Sequence, residues 1–217
     1  MRPNSSKEKA FRIIREEILS NRLRPGQSLN ERSLSQRLKV SKTPIREAIQ
    51  LLHKEGLIEL IPQKGAFVAQ ITLNDIREIM QIRQGLEPLA AGVAASSHNT
   101  EELSALENEF ATFAESSPKD YKTTHEAGRR LHRFIIHSTR NQRLIGLLES
   151  LNDQMDRIRS LFYFDLSQDY IDQAFEEHKG IIKAVKEGQS VRAEEIMKAH
   201  IRNYWERLNE LAITRVY

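Results

Sequence analysis

The chain has 217 residues, 39% of them apolar, enough for two small packed cores. No apolar run is long enough to cross a bilayer, no export leader is expected at the start, and the absence of cysteine excludes disulfides and thiolate metal sites. The formal charge of +3 is unevenly spread: residues 1–71 carry 14 Lys and Arg against 7 Asp and Glu, a net of +7, while the remainder carries 19 against 23, a net of −4. A strongly basic head on a mildly acidic body suits a protein of which one part must stay near phosphates.

In chain order, Ser5 or Ser6 can cap a first helix whose Ala10, Ile13, Ile14 and Ile18 form one stripe. Pro25-Gly26 then makes a turn. Asn30 can cap a short second helix with Leu34 and Leu38 on its apolar side, and Ser41 can cap a third, in which Pro44 is tolerated in the first turn. Ile45, Ala48, Ile49 and Leu52 line one face of that third helix, while Lys42, Thr43 and Arg46 occupy its leading and opposite faces. Gly56 stops it. Leu57–Ile61 and Ala66–Gln70, rich in aliphatic and β-branched residues, flank a Pro62-Gln63-Lys64-Gly65 turn and predict a hairpin. Residues 27–70 thus read as a helix-turn-helix followed by a wing, the module that puts N-terminal side chains of one helix into a major groove and holds phosphates with nearby cations. A solvated basic face explains the charge alone; the capped helix and the wing turn favour DNA.

From Thr72 onward the apolar residues recur at three and four, predicting an all-α body of about six helices near 73–97, 100–116, 120–138, 141–163, 169–188 and 190–213. Asn99, Asn141 and Ser190 are expected caps; Ser116-Ser117-Pro118 and Gly188 are expected breaks. The fold class is therefore mainly α, with residues 1–71 a winged helix-turn-helix domain and 72–217 a helical bundle. Within the bundle His132, His178 and His200 each fall on an apolar stripe of a different helix. A buried imidazole needs a partner, and each of these taken singly is explained by a hydrogen-bonded core histidine. If they converge, three rings make a site for Zn, Ni or Mn. Arg83 also faces the apolar side of its helix. Either it pairs with Glu87 at i, i+4, or it points inward to clamp a carboxylate. Arg159, between Met155 and Phe162, is a second candidate for that role, against the reading of a snorkelling side chain that lays its stem along the apolar face.

The runs Leu23-Arg24-Pro25-Gly26-Gln27-Ser28-Leu29-Asn30-Glu31, Val40 to Ala48, Glu55-Gly56-Leu57 and Gln63 to Val68 resemble the winged-helix signature of the GntR family of bacterial transcription regulators. The resemblance implies DNA contacts by Arg32, Ser41, Lys42, Thr43 and Arg46, with Lys64 and Gly65 at the wing tip entering the minor groove. Lys42 stands where many members carry Arg, and an ammonium lacks the fork that reads a guanine bidentately. Arg129 to His132, Thr139-Arg140-Asn141, Glu177-His178-Lys179, Ala199-His200-Ile201 and the Arg83-x-x-Leu86-Glu87 stretch are similar to the FCD effector domain of many such regulators. In its metal-binding members an Asp one turn before the first His completes a one-carboxylate, three-imidazole site; here that position is Gly128, and His125, two turns back and about 10 Å along the axis, is too far to replace it. A histidine-only centre would leave positions for waters or an effector carboxylate.

The basic winged helix, the helical body and the resemblance together predict a ligand-responsive regulator, a repressor as most of the family are, acting in the cytoplasm as a homodimer on a near-palindromic double-stranded operator. A small organic acid is the expected effector, with Arg83 and Arg159 as effector-binding candidates. No catalytic residue is expected. A metallo-hydrolase would need a general base beside the histidines, and none stands out; a purely architectural DNA binder would not need a polar cavity in its second domain. A metal-independent regulator with structural histidines is the remaining alternative.

Overall fold

The computed structural model describes residues 5–97, 100–114, 121–162 and 166–216. Two compact units emerge: the chain up to Thr72 together with Asp153–Leu161, and Leu73–Asn152 with the chain from Phe162 onward.

In the first unit, α1 (Ser6–Leu19) begins at a capping box: the Ser5 hydroxyl accepts from Glu8 N–H, and the Glu8 carboxylate accepts from Ser5 N–H. α2 (Glu31–Leu38) begins where the Asn30 side chain accepts from Ser33 N–H at 3.0 Å, as its sequence predicts. It ends with Lys39 in the left-handed region, φ 54°. α3 (Lys42–Lys54) comes directly after. Ser41 has the backbone of an N-cap, yet its hydroxyl makes no capping bond, contrary to the sequence expectation. β2 (Ile58–Ile61) and β3 (Gly65–Val68) pair antiparallel with Ile61 opposite Gly65, closing the wing through Gln63 (φ 65°) and Gly65 (φ 102°). The sequence did not reveal β1, the two residues Ser28–Leu29, which pair antiparallel with Phe67 and Ala66 and give the sheet order β1-β3-β2.

Ile14, Ile45 and Leu52 are fully buried at the centre of this unit, with Ile18, Leu57 and Ile58 around them. Each such side chain contributes about 1.5–3 kcal/mol by leaving water. One ion pair is built into the edge of this core: Glu17 is buried and accepts two bonds from the Arg37 guanidinium, the Nη2 bond at 2.7 Å, tying α1 to α2. The Arg37 hydrogen bonds hold the Glu17 carboxyl below its ordinary range, against the opposing effect of burial.

The second unit contains α4 (Leu73–Ala95), α5 (Thr100–Ala114), α6 (Tyr121–Ser138), α7 (Gln142–Phe162), α8 (Gln168–Lys186) and α9 (Ser190–Val216), α7 lending Asp153–Leu161 to the first unit. Asn141 caps α7 through Oδ1, which accepts from Arg143 and Leu144 N–H, and Gly188 ends α8 with φ 69°. Ser190 is the first residue of α9 rather than its cap, and its hydroxyl pairs with that of Ser96 at 2.8 Å. Asn99 and Ser116-Ser117-Pro118 lie outside the described residues. α4 runs along α9 and also meets α6 and α8, so these four helices enclose a common interior. It is filled by Leu131, Ile135, Phe175, Ile181 and Met197.

Candidate functional site

Two sets of polar residues stand out, one exposed on the first unit and one buried in the second. On the first unit Arg32, Ser41, Lys42, Thr43, Arg46, Lys64 and Gly65 are all exposed. A groove of about 810 Å³, with Asn30, Glu31, Arg46, Pro62 and Lys64 among its lining residues, separates α3 from the wing. The start of α3 is unusual electrostatically. α1 and α2 each place a glutamate, Glu8 and Glu31, in the first turn, where it complements the positive end of the helix dipole, whereas α3 has no acid there and carries Lys42 instead. With the Ser41 hydroxyl making no capping bond, the leading N–H groups of α3 and Lys42 form a positive spot suited to a phosphate or a base edge. Arg46 is held: its Nε donates to Glu31 Oε2 at 2.7 Å, across from α2.

In the second unit His132 from α6, His178 from α8 and His200 from α9 come together, exposed by only 4%, 6% and 7%. Their ring centroids are 5.6, 5.3 and 4.5 Å apart, and one ligand nitrogen from each lies within 4.8 Å of the others. Two carboxylates set the rings. Glu87 Oε2 lies 2.5 Å from His132 Nδ1 while its Oε1 accepts from Arg83 Nε at 2.5 Å, so Arg83, Glu87 and His132 form a buried chain. Glu177 Oε2 lies 2.7 Å from His200 Nδ1, and its Oε1 accepts from Asn203 and Gln173. Burial would raise the Glu87 carboxyl, but Arg83 and His132 overcome it and hold the group well below the usual carboxylate range. At Glu177 burial is likewise overcome, by the hydrogen bonds from His200, Asn203 and Gln173. His132 is pushed down to about 4 by burial, against the pull of Glu87, so its ring is neutral near neutral pH.

Ionised carboxylates accept, so the Nδ1 atoms of His132 and His200 donate to Glu87 and Glu177, and it is their Nε2 atoms that are turned toward each other. Those two Nε2 atoms face each other at 3.3 Å. At that separation the two nitrogens can share a proton or give it up to a metal ion between them, and two nitrogens bound to a tetrahedral zinc at ~2.0–2.1 Å would stand about 3.3–3.4 Å apart. The donor set therefore fits a divalent ion.

The sequence singled out the three histidines and Arg83, which the structure joins to them through Glu87. It did not assign Glu87 or Glu177 to the cluster; the hint was a glutamate on the buried side of α4 and another directly preceding His178. Arg159 pairs with Asp156 at 3.3 Å, in the stretch of α7 that groups with the first unit. Of the two expectations for Arg83, the pair with Glu87 is what forms, but it is buried, with both side chains almost fully covered.

The family model for "Bacterial regulatory proteins, gntR family" matches residues 6–68, and that for the FCD domain matches residues 78–203. The chain belongs to the gntR family of bacterial regulatory proteins. This gntR regulator is 28% identical over 203 residues to the HTH-type transcriptional regulator YdhC of Bacillus subtilis (strain 168), spanning 93% of this chain and 90% of that one. It is 26% identical over 205 residues to the HTH-type transcriptional repressor RspR of Escherichia coli (strain K12), 94% and 89% of the two chains. In fold it is similar to E. coli McbR/YncC, with a TM-score of 0.78, 19% identity and 95% and 98% of the two chains covered. The zinc-bound FCD domain of TM0439 superposes with a TM-score of 0.53 at 24% identity, covering 64% of this chain and 95% of that one. The gntR regulator is thus a DNA-binding transcription regulator and not an enzyme. None of its described helices is long and apolar enough to cross a membrane.

Proposed function

We propose that this gntR regulator is a cytoplasmic homodimeric repressor that reads a near-palindromic operator and releases it in response to a small organic acid bound at the histidine centre. The observation that carries the reading is the pair of facing Nε2 atoms, 3.3 Å apart and fixed by Glu87 and Glu177, inside the effector domain of a DNA-binding chain. On the first unit Lys42, Thr43 and Arg46 are assigned to the major groove, Arg32 and Ser41 to phosphates, and Lys64 with Gly65 to the minor groove. A palindromic site needs two recognition helices at fixed spacing, hence two copies of the chain.

His132, His178 and His200 would hold zinc, nickel or manganese. Such an ion supplies Lewis-acid positions at which a carboxylate oxygen can bind. The chain's own residues do the rest: Glu87 and Glu177 keep the Nε2 donors aimed inward, and Arg83 keeps Glu87 ionised. Arg83 also offers the second charge an acid would meet. Arg159, held by Asp156 as Arg83 is by Glu87, is the lesser candidate because it is not part of the buried chain that reaches His132.

The test is operator affinity by fluorescence anisotropy at fixed salt, with zinc present or removed by a chelator and with citrate as the acid probe. We expect citrate to weaken operator binding only when zinc is present, and light scattering to give near twice 25.1 kDa. If neither chelation nor His200→Ala alters the citrate response, the histidines are structural and the metal-independent regulator is the correct reading.

A further inference from the structure

Six large apolar side chains are exposed among the described residues, and four of them, Leu73, Ile82, Leu89 and Val93, lie on α4. Ile82, Leu89 and Val93 follow one another at seven and four residues, with the half-buried Leu86 between them, so they form one stripe along the outer side of the helix. Leu73, roughly two and a half turns before Ile82, comes out on the opposite side. From Gln81 to Ala95 the charged residues are Arg83 and Glu87, and both are buried. In a chain with 29% charged residues this leaves about 21 Å of outer helix surface without a charge. An apolar, charge-depleted strip of that kind is the composition of an interface core, not of a solvated face.

Gly85 lies in the middle of the stripe, and a Cβ there would meet nothing within 4 Å. Glycine in mid-helix is a local cost, so its place one turn before Leu89, the most exposed of the stripe at 50%, calls for a reason. The helix thus carries a notch and a knob on one surface. We propose that this stripe is where two copies of the chain associate, with their α4 helices antiparallel and the Leu89 of each seated at the Gly85 of the other. The inference rests on reading the regulator as a homodimer. A two-fold axis at the level of residue 87 brings Leu89 to Gly85 and, in the same register, Ile82 to within one residue of Val93. The ends agree in charge. Glu78, exposed on the same side of α4, comes opposite Ser96 of the second copy, and the Ser96 hydroxyl meets that of Ser190 at the start of α9. Arg192, exposed there, pairs with Glu195 at 3.4 Å within its own helix and can exchange it for Glu78. A parallel pairing would instead set Glu78 against Glu78 and Gly85 against Gly85, like charges beside a void. An unrelated partner need not match a knob and a notch on one helix; a second copy must.

The experiment uses the full chain, its mass followed by sedimentation over a dilution series and its fold checked by circular dichroism. Wild type should run near twice 25.1 kDa. Leu89→Glu and Gly85→Leu should each raise the dimer dissociation constant by about tenfold or more, since symmetry spoils the central contact twice. Leu73→Glu, on the other side of α4, should match wild type. The register is read by cross-linking, because the chain has no cysteine and Ile82→Cys and Val93→Cys variants can link only through the introduced thiols. Mixed and oxidised, the two should form the 82–93 disulfide in preference to either self-linked species. In the antiparallel pair the two copies of residue 82 stand about 15 Å apart, beyond the Cα reach of about 7 Å for a disulfide.

Unchanged dissociation constants in both Leu89→Glu and Gly85→Leu, or self-linking in preference to the 82–93 disulfide, would overturn the proposal. If Leu89→Glu or Gly85→Leu cannot fold, the cross-linking pair decides alone. A chain that stays at 25.1 kDa across the series removes the homodimer and this surface with it. A dimer indifferent to both substitutions keeps the homodimer and removes the surface alone.

Discussion

Both units contain an arginine–glutamate pair of similar length, Arg46–Glu31 at 2.7 Å in the first and Arg83–Glu87 at 2.5 Å in the second, and burial gives them opposite characters. The Arg46 side chain is 66% exposed and that of Arg83 2%. In water an ion pair is weak and replaceable, so Arg46 can exchange Glu31 for a phosphate or a base with little change in energy. In the interior neither member of a pair can leave without stranding the other, so Arg83 and Glu87 form a fixed element on which His132 is aimed. The same chemistry is an exchangeable surface contact on the helix-turn-helix unit and a fixed scaffold in the FCD unit.

Removing one partner of each pair should break the comparison open. Arg83→Met strips the buried Glu87 of its cationic partner, so the carboxylate must stay charged unpaired or take up a proton, and should destabilise the second unit by about 3–5 kcal/mol. Arg46→Ala should change stability by less than about 0.5 kcal/mol. Urea unfolding of the two variants gives the contrast directly, and equal losses would mean that burial is not what separates the pairs. In operator binding the order reverses: Arg46→Ala or Lys42→Ala should cost about 1–3 kcal/mol with the fold intact. Unchanged gel-shift affinity at fixed salt would remove these residues from the interface.

How far each pair could be seen in advance differs in the same way. Lys42, Arg46 and the wing turn are local features, and local patterns such as the Asn30 cap, the four-residue apolar spacing and the Pro62 to Gly65 turn are written in neighbouring residues. The helices of the second unit were legible for that reason, within a few residues at each end. β1 was not, because two residues carry no alternation and their partners, Ala66 and Phe67, are almost forty positions away. The histidines were legible as three polar residues on apolar stripes. Glu87 beside His132 and Glu177 beside His200 were not, since each depends on which helices adjoin and at what height. Periodicity tells which side of a helix is buried; only packing tells what it is buried against.

A third pair sits between the two extremes. Glu17 is buried, but the Arg37 side chain is 46% exposed, so Arg37→Ala should cost about 1–2 kcal/mol rather than the full cost of a buried pair. The Arg37 bonds lower the Glu17 pKa in the folded state. The stabilisation they give is therefore present above the unfolded carboxyl value of 4.5 and is lost as pH falls through the folded value. Urea midpoints of wild type and Arg37→Ala should differ at pH 7 and converge in acid below 4.5. A gap that persists there would assign the effect to packing of the arginine stem.

The smallest effect concerns the exposed pair itself. If Glu31 holds Arg46 in reserve, its carboxylate competes with DNA for the guanidinium and adds a negative charge near the phosphates. Glu31→Gln removes both while keeping the size of the side chain, so operator affinity should rise by less than about 1 kcal/mol, a few-fold at low salt. Because the competition is between exposed charges, the gain should shrink as ionic strength shortens the Debye length from about 30 Å at 0.01 M to about 8 Å at 0.15 M. Glu31 also sits in the first turn of α2, where its charge favours the helix by about 0.3–1 kcal/mol, so a slightly lower melting temperature should accompany the gain in affinity. Weaker operator binding in Glu31→Gln, measured over that salt range, would show that Glu31 instead orients Arg46 for the base it reads. The exposed pair would then be as much a scaffold as the buried one, and exposure alone would no longer separate the two.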